Sequence, residues 1–525
     1  MQVFETVSRP PGEASGAAPG ERHLQPAVLP FIPDRVQYTM YALALVAAIS
    51  IWFLAIRAPL WLDETVSIFL IKGGFAGIRA RQVWPDSPTY SCLLWLWTKA
   101  MGRGEIMLRI SSLLPMLGAV YLLYRAAREL FGREVALLTA IVFCLHPIII
   151  FASIDIRPYA FAALAINASI LALVSLRRNN SNWLAALYGL SAACIVQFQL
   201  LFAVILPALV ICFIVVKFGD RKTLWRQLGI ALPVFAVAFL PVIPRLQYMA
   251  RTSATHVFAE TPSLLELGST LTLKGLAGIL VVAVLVAAAT RRLDLRAMHL
   301  RSRLQFWPIL LCTSLALIPI LTLYTLSLKT SIHVFVPRYR LVAVPGIALC
   351  WGLAASWINS RALRLLVCIS VTAATAYIYL TTPFLQQHQY SWKYALAFVE
   401  KNASADGAPL LMCSDIPESD HMTMPAGAAI EETGILPPLS YYKLTVPVVP
   451  LPRALNAEAM RAGSQFLQAG ARHQRFLAAA FAQSYETLDW LKSTAAGTFD
   501  VHELGQFDGV RVLEFTPRGL AAASR

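Results

Sequence analysis

The chain has 525 residues, of which 57% are hydrophobic and only 14% charged, against about 25% charged in an ordinary soluble domain. That excludes a soluble globule, and a mean hydropathy of +0.61 leaves too little polar surface for the net charge of +15 to serve nucleic acid. The eight cysteines are scattered without metal-type spacing, so neither a disulfide framework nor a cysteine metal site is expected.

Residues 1–35 are rich in Gly, Ala, Pro and Glu, with no apolar stretch near the start. They read as a disordered cytoplasmic tail rather than a cleaved secretion signal. Apolar runs able to cross about 30 Å of hydrocarbon then recur at 37–57, 108–125, 135–152, 158–176, 183–199, 200–217, 228–247, 267–290, 304–327, 341–358 and 363–382. The expected fold is therefore mainly α, a polytopic membrane protein of about eleven transmembrane helices. Alternate short loops collect Arg125, Arg128 and Arg133; Arg177 and Arg178; Lys217, Arg221, Lys222 and Arg226; Arg291, Arg292, Arg296, Arg301 and Arg303; Arg361 and Arg364. Cationic residues near span ends are retained inside, which predicts a cytoplasmic amino terminus and an external carboxyl terminus. Much of the positive charge is thus topology.

Two external segments exceed simple connectors. Residues 58–107 hold Trp61, Trp84, Trp95 and Trp97 among apolar residues, the composition of helices lying in the membrane interface. From about residue 383 onward, Asp, Glu, Gly and Pro return to soluble-protein frequencies, which sets a boundary at Thr382-Pro383 between a transmembrane domain, 36–382, and an external domain, 383–525. In the latter, 409–413 and 475–481 read as buried strands, 484–496 as a helix, and 499–515 as a hairpin turning at Asp508-Gly509. A small α/β domain is expected.

Between residues 36 and 382 there are eleven acids, all in loops or at span ends, and seven of them fall on the external side of this topology. A coupled transporter keeps ionisable groups near the bilayer midplane; here the acids collect where chemistry at the membrane surface is open to them. Asp63-Glu64 follows the first span directly. As a structural pair, Asp63 would cap a short helix over 64–72; as a functional one, it is a carboxylate able to accept a proton from an alcohol. Asp155-Ile156-Arg157-Pro158-Tyr159 occupies a short turn on the same face, either as an interfacial ion pair or as a second carboxylate of one site. Arg338-Tyr339-Arg340 opens a late span, and with Lys329 it supplies either snorkelling cations or a phosphate site. Acidic loops can hold a divalent cation, but no spacing demands one, so no metal site and no definite cofactor are assigned.

Taken in order, these residues resemble the motifs of the GT-C superfamily of membrane glycosyltransferases, in the branch of protein O-mannosyltransferases and lipid A aminoarabinose transferases. Asp63-Glu64 is similar to that family's acidic motif in the first external loop. Asp86-Ser87-Pro88-Thr89-Tyr90 is similar to a His-Pro-Pro-Leu-Tyr-like stretch, and Glu105 to Ser112, with Arg109 inside, to a Glu-Phe-Ala-x-Arg-x-x-Ser-like one. Ile154 to Tyr159 resembles a Gln-Glu-x-Arg-x-Tyr-like turn, and Arg338-Tyr339 an Arg-Tyr before a late span. The aminoarabinose branch has Lys-Pro where this chain has Ser87-Pro88, which argues against aminoarabinose as the sugar.

The resemblance implies transfer of one sugar, with inversion, from a polyprenyl-phosphate donor to a lipid, glycan or protein hydroxyl at the external face of a bacterial inner membrane. Asp63 would be the base, with Glu64 and Asp155 beside it. Arg157, Arg338, Arg340 and Lys329 would hold the donor phosphate, with Arg109, Tyr90, Tyr159 and Tyr339 in support. A lipid flippase or other transporter would share the spans but leave the external acids unexplained. An oligosaccharide ligase would differ in moving a preassembled glycan.

Overall fold

The computed structural model describes residues 33–81, 87–217, 219–252, 261–271, 276–293, 303–330, 333–381, 391–425, 430, 433–469 and 474–518. The expected tail up to residue 32, Asp86 and the boundary at Thr382-Pro383 lie outside the described residues.

Where water is absent, backbone groups must be satisfied within the segment, and the apolar runs fold as helices. In chain order these are α1 (Asp34–Trp52), α2 (Leu62–Leu70), α3 (Gly74–Ala80), α4 (Pro88–Met101), α5 (Glu105–Phe131), α6 (Arg133–Leu145), α7 (Pro147–Ala152), α8 (Tyr159–Arg178) and α9 (Asn182–Phe198). There follow α10 (Leu206–Lys217), α11 (Arg221–Phe239), α12 (Ile243–Thr252), α13 (Leu264–Leu271), α14 (Ala277–Ala289), α15 (Arg303–Lys329), α16 (Val344–Ser356), α17 (Arg361–Thr381) and α18 (Lys393–Ala403).

Among the described residues, seven helices are long and apolar enough to cross a membrane: Asp34–Ala55, Glu105–Phe131, Tyr159–Arg178, Arg221–Tyr248, Phe306–Lys329, Tyr339–Ser356 and Arg361–Thr381. Three shorter apolar helices, Asn182–Phe198, Leu200–Val216 and Ala277–Ala289, fall on other expected runs. Among the described residues, the eleven expected runs are represented by seven full-length helices and several shorter pieces. Proline explains one break: the run at 135–152 divides into α6 and α7, because Pro147 lacks an N–H and starts a new helix. The preceding His146 Nδ1 accepts the Ile148 N–H at 3.2 Å. Of the run at 267–290, α13 covers the part up to Leu271 and α14 the part from Ala277 to Ala289, and residues 272–275 lie outside the described residues.

Small residues let these helices approach closely. A Cβ on Gly189 of α9 would lie 2.2 Å from the Ala231 carbonyl oxygen of α11, and one on Gly346 of α16 would lie 2.3 Å from the Ala316 nitrogen of α15. At one end of the bundle Asp34, Glu134, Arg361 and Arg364 join the ends of α1, α6 and α17 by ion pairs. The opposite end carries α2, α3 and α4.

After α18 comes a five-stranded sheet in the order β2-β1-β3-β5-β4, formed by β1 (Leu410–Cys413), β2 (Val448–Leu451), β3 (Phe476–Phe481), β4 (Phe499–Phe507) and β5 (Val510–Pro517). β1 is parallel to β2 and β3, while β3, β5 and β4 are antiparallel neighbours. β1 and β3 are buried along their whole length, as central strands covered on both faces must be. Trp392, Leu396 and Val399 pack on one face of the sheet, and Leu488 and Leu491 of helix Tyr485–Ala495 on the other. The β4–β5 turn takes positive φ at Asp508 (47°) and Gly509 (86°), the geometry that favours Asp-Gly in a two-residue hairpin. Beyond the expected elements, the structure adds β2 and helix Ala457–Ala469. β2 contains Pro450 and lies at the sheet edge, where a missing N–H is tolerated.

Candidate active site

The site begins at the turn from α1 into α2. Adjacent side chains on a helix point about 100° apart, and the two acids of α2's first turn accordingly go different ways. Glu64 turns inward to full burial. Its Oε2 accepts from Arg109 Nη2 at 3.0 Å and from the Trp61 backbone N–H at 3.2 Å, and its Oε1 accepts from the Ile156 N–H at 3.2 Å. Glu64, not Asp63, therefore caps this helix, by reaching back to the N–H ahead of it. Burial raises the Glu64 carboxyl pKa against the opposing pull of Arg109 and the two backbone N–H groups.

Arg109, one turn into α5, is itself fully buried. Besides Glu64 it donates to the carbonyls of Ile56 at 2.9 Å, Pro59 at 3.0 Å and Ala58. One guanidinium thus fixes the chain leading to Asp63, a use suited to its rigid fork of donors.

Asp63 faces out and pairs with Arg338 Nη1 at 2.5 Å, with 21% and 23% of the two side chains exposed. Arg157 Nη1 approaches the Asp63 carbonyl at 3.4 Å, and the Arg338 guanidinium lies 5.4 Å from the ring centre of Tyr339. Burial opposes the charge on Arg338, but Asp63 more than offsets this and drives its pKa up. The arginine is cationic at any physiological pH.

Asp155 is fully buried in the turn between α7 and α8. Its Oδ1 accepts from the Trp61 indole N–H at 3.0 Å, and its carbonyl accepts from Ser112 Oγ at 2.6 Å. Its Oδ2 has no hydrogen-bond partner among the described residues. Burial first, and then the nearby Glu64 charge, push its carboxyl pKa well up, against Arg157. A neutral Asp155 carboxyl can donate a hydrogen bond, which an ionised one cannot.

The structure therefore brings Asp63, Glu64, Asp155, Arg157, Arg338, Arg109 and Tyr339 to one end of the bundle, and buries Tyr159 at the start of α8 behind them. Arg340 turns the other way. It donates to Thr270 Oγ1 of α13 at 2.6 Å and stacks on Phe335 at 4.9 Å. Lys329 ends α15, exposed. Tyr90 is buried 5.8 Å from Phe161 and lines an apolar cavity of about 420 Å³ with Leu94, Trp97, Leu114 and Pro115. Ser111, next to the Ser112 that bonds Asp155, borders the same cavity. The contribution of Trp61, whose indole ties Asp155 to the α2 turn, was not legible in the sequence beyond a tryptophan-rich composition. Among the described residues no group of three or more His, Cys, Asp or Glu side chains is arranged to hold a metal ion.

Comparison with known proteins bears on the fold that carries this site. A family model described as Dolichyl-phosphate-mannose-protein mannosyltransferase matches residues 85–248. No curated protein matches the chain. Among solved structures, ArnT from Cupriavidus metallidurans bound to undecaprenyl phosphate is similar over 90% of this chain and 97% of its own, with a TM-score of 0.55 and 14% identity. The same protein in its apo state gives a TM-score of 0.54 and 14% identity over 91% and 98% of the two chains. An oligosaccharyltransferase from Archaeoglobus fulgidus aligns over 90% of this chain and 69% of its own, with a TM-score of 0.46 and 10% identity. The resemblance carried by the motifs is thus matched by the fold: this multi-pass membrane chain has an ArnT-like architecture, and its residues 85–248 match the mannosyltransferase family model.

Proposed function

We propose that the chain moves a single sugar from a polyprenyl-phosphate donor to an acceptor hydroxyl of an envelope lipid, glycan or protein. The observation that carries this reading is Asp63, a mostly buried carboxylate paired with Arg338, with Arg157 at its backbone carbonyl; an apolar cavity is bordered by Ser111, next to the Ser112 that bonds the Asp155 carbonyl. In the reaction the acceptor oxygen bonds to the anomeric carbon from the side opposite the phosphate, which inverts its configuration. The bond from that carbon to the phosphate oxygen breaks, and its electron pair leaves with the phosphate. The acceptor's proton passes to Asp63.

Arg338 and Arg157 stabilise the negative charge that collects on the departing phosphate. When the donor's phosphate draws Arg338 to itself, the Asp63 carboxylate is released to take a proton. Burial and the nearby Glu64 charge push the Asp155 carboxyl pKa up, which disfavours a further negative charge beside the leaving phosphate. A fold neighbour solved with undecaprenyl phosphate bound supports a lipid-phosphate donor.

The arginine-rich loops support an orientation in which the amino terminus is cytoplasmic and the Asp63 face with the C-terminal domain is external, in a bacterial inner membrane. Mass spectrometry of envelope lipids and glycoproteins from a deletion strain tests the reading. Loss of a species carrying one extra sugar is expected. Loss of a whole glycan would point to an oligosaccharide ligase, and no covalent change to a flippase. Reporter fusions at the carboxyl terminus test the sidedness, and activity of a cytoplasmic reporter there would reverse it.

A further inference from the structure

Among the contacts of the C-terminal domain with the acidic turn is a phenol. Tyr442 follows the short turn Pro437–Ser440, which packs against α2. Its hydroxyl accepts from the Leu60 backbone N–H at 2.9 Å and donates to Glu105 Oε1 at 3.0 Å. The other oxygen of Glu105 accepts from Lys393 Nζ, at the start of α18, at 2.9 Å. Next to it, the Tyr441 hydroxyl donates to the Arg103 carbonyl at 3.0 Å.

The seat is close-fitting, since a Cβ on Gly434 would come within 2.3 Å of the Phe69 ring of α2. Glu105 and Arg109 stand one turn apart on α5. Residues 56–60 are therefore held from two sides, their carbonyls by Arg109 and the Leu60 N–H by Tyr442, and Asp63 follows three residues later. A phenol suits this place because it donates and accepts at once. Burial and the neighbouring Glu105 push its pKa up, so it keeps its proton.

We propose that Tyr442, oriented by Glu105, is a positioning residue through which the C-terminal domain aims Asp63 at Arg338. The inference rests on the glycosyltransferase reading for Asp63's role, but the contact is testable apart from it. The full-length protein is purified, and amide hydrogen exchange over residues 60–65, undecaprenyl phosphate binding, and product in a complemented deletion strain are each measured.

Tyr442→Phe keeps the ring but removes both hydrogen bonds. It should speed exchange over 60–65, leave undecaprenyl phosphate binding near wild type, and lower product about ten- to a hundredfold, the loss expected when a reacting group is displaced by about 1 Å. Glu105→Gln still offers Tyr442 an acceptor and should retain most of the product, which loss of the Lys393 ion pair alone would not spare. Unchanged exchange over 60–65 in Tyr442→Phe, or full product despite faster exchange, overturns the proposal. If Tyr442→Phe does not fold, Glu105→Ala decides: faster exchange over 60–65 supports the latch, and wild-type exchange removes it. A wild-type chain that makes no glycosylated product would sink the glycosyltransferase reading, while the exchange comparison would still decide the latch.

Discussion

The two ends of the helical bundle hold their charges in opposite ways. On the arginine-rich end Arg361 pairs with Asp34 at 2.5 Å and Glu134 at 3.2 Å, with about half of its side chain exposed (51%). On the acidic end Glu64 and Arg109 pair at 3.0 Å with neither side chain exposed. Exposed pairs contribute only about 0–1 kcal/mol, whereas burying two charges costs several kcal/mol per ion before their attraction offsets it. Stability alone is a poor reason to keep the second arrangement. What it achieves is geometry, since Arg109 ties down the carbonyls of residues 56, 58 and 59 and leaves Asp63 facing Arg338.

The largest expected effect tests whether that geometry serves chemistry. Asp63→Asn keeps the shape and much of the hydrogen bonding but cannot take a proton. Because Glu64 provides the helix cap, the substitution should cost stability only through the weakened, partly exposed contact with Arg338, while transfer falls by about 10² to 10⁴. Near-normal product from Asp63→Asn would remove the base from the mechanism and leave the two ends distinguished by packing only.

Next in size is Arg109→Ala, which strands the Glu64 carboxylate in the interior. Removing one partner of a buried pair destabilises by about 3–5 kcal/mol. The measurement is the thermal stability of the purified protein, where a large drop is expected. A drop no greater than that of an exposed pair would show that water or another donor reaches Glu64, and the contrast between the two ends would lose its basis.

How far the sequence announces this arrangement depends on the range of the contact. The order of acids and arginines along the loops places Asp63, Asp155, Arg157 and Arg338 on one face, although Asp63 and Arg338 are 275 residues apart, because the side of each loop follows from counting spans. Which of two adjacent acids turns inward does not follow from counting. It is decided by Arg109 on another helix, 45 residues away.

Arg340 shows the same limit. Two residues past Arg338, within the tight helical turn Tyr339–Ala343, it points to Thr270 on α13 rather than joining Asp63. Strands β1 and β3 and the Asp508-Gly509 hairpin were readable from apolar runs and turn chemistry, whereas β2 was hidden by Pro447 and Pro450, which only an edge position admits. The division of α6 from α7 was likewise hidden, since hydropathy runs on through Pro147.

Arg338→Ala comes third. It removes a charge-assisted contact, typically worth about 1.5–3 kcal/mol, so undecaprenyl phosphate binding by the purified protein should weaken about tenfold or more. Its stability cost should be smaller than that of Arg109→Ala, because 21% of the partner Asp63 is exposed and water can take over part of the lost contact. Unchanged lipid-phosphate binding in a folded Arg338→Ala protein would assign the arginine to holding Asp63 alone.

The smallest effect is expected at the opposite end. Arg361→Ala removes two ion pairs, but Arg364 still pairs with Glu134 at 2.5 Å, and Asp34, 63% exposed on its side chain, returns to water at little cost. The loss should stay within about 0–1 kcal/mol and shrink further as salt screens the exposed charges, with transfer unaffected. Melting the purified variant at low and high ionic strength reads this directly. A salt-insensitive loss as large as that of Arg109→Ala would mean that the arginine-rich end also relies on fixed charge geometry, and the acidic end could then no longer be singled out by its buried pair.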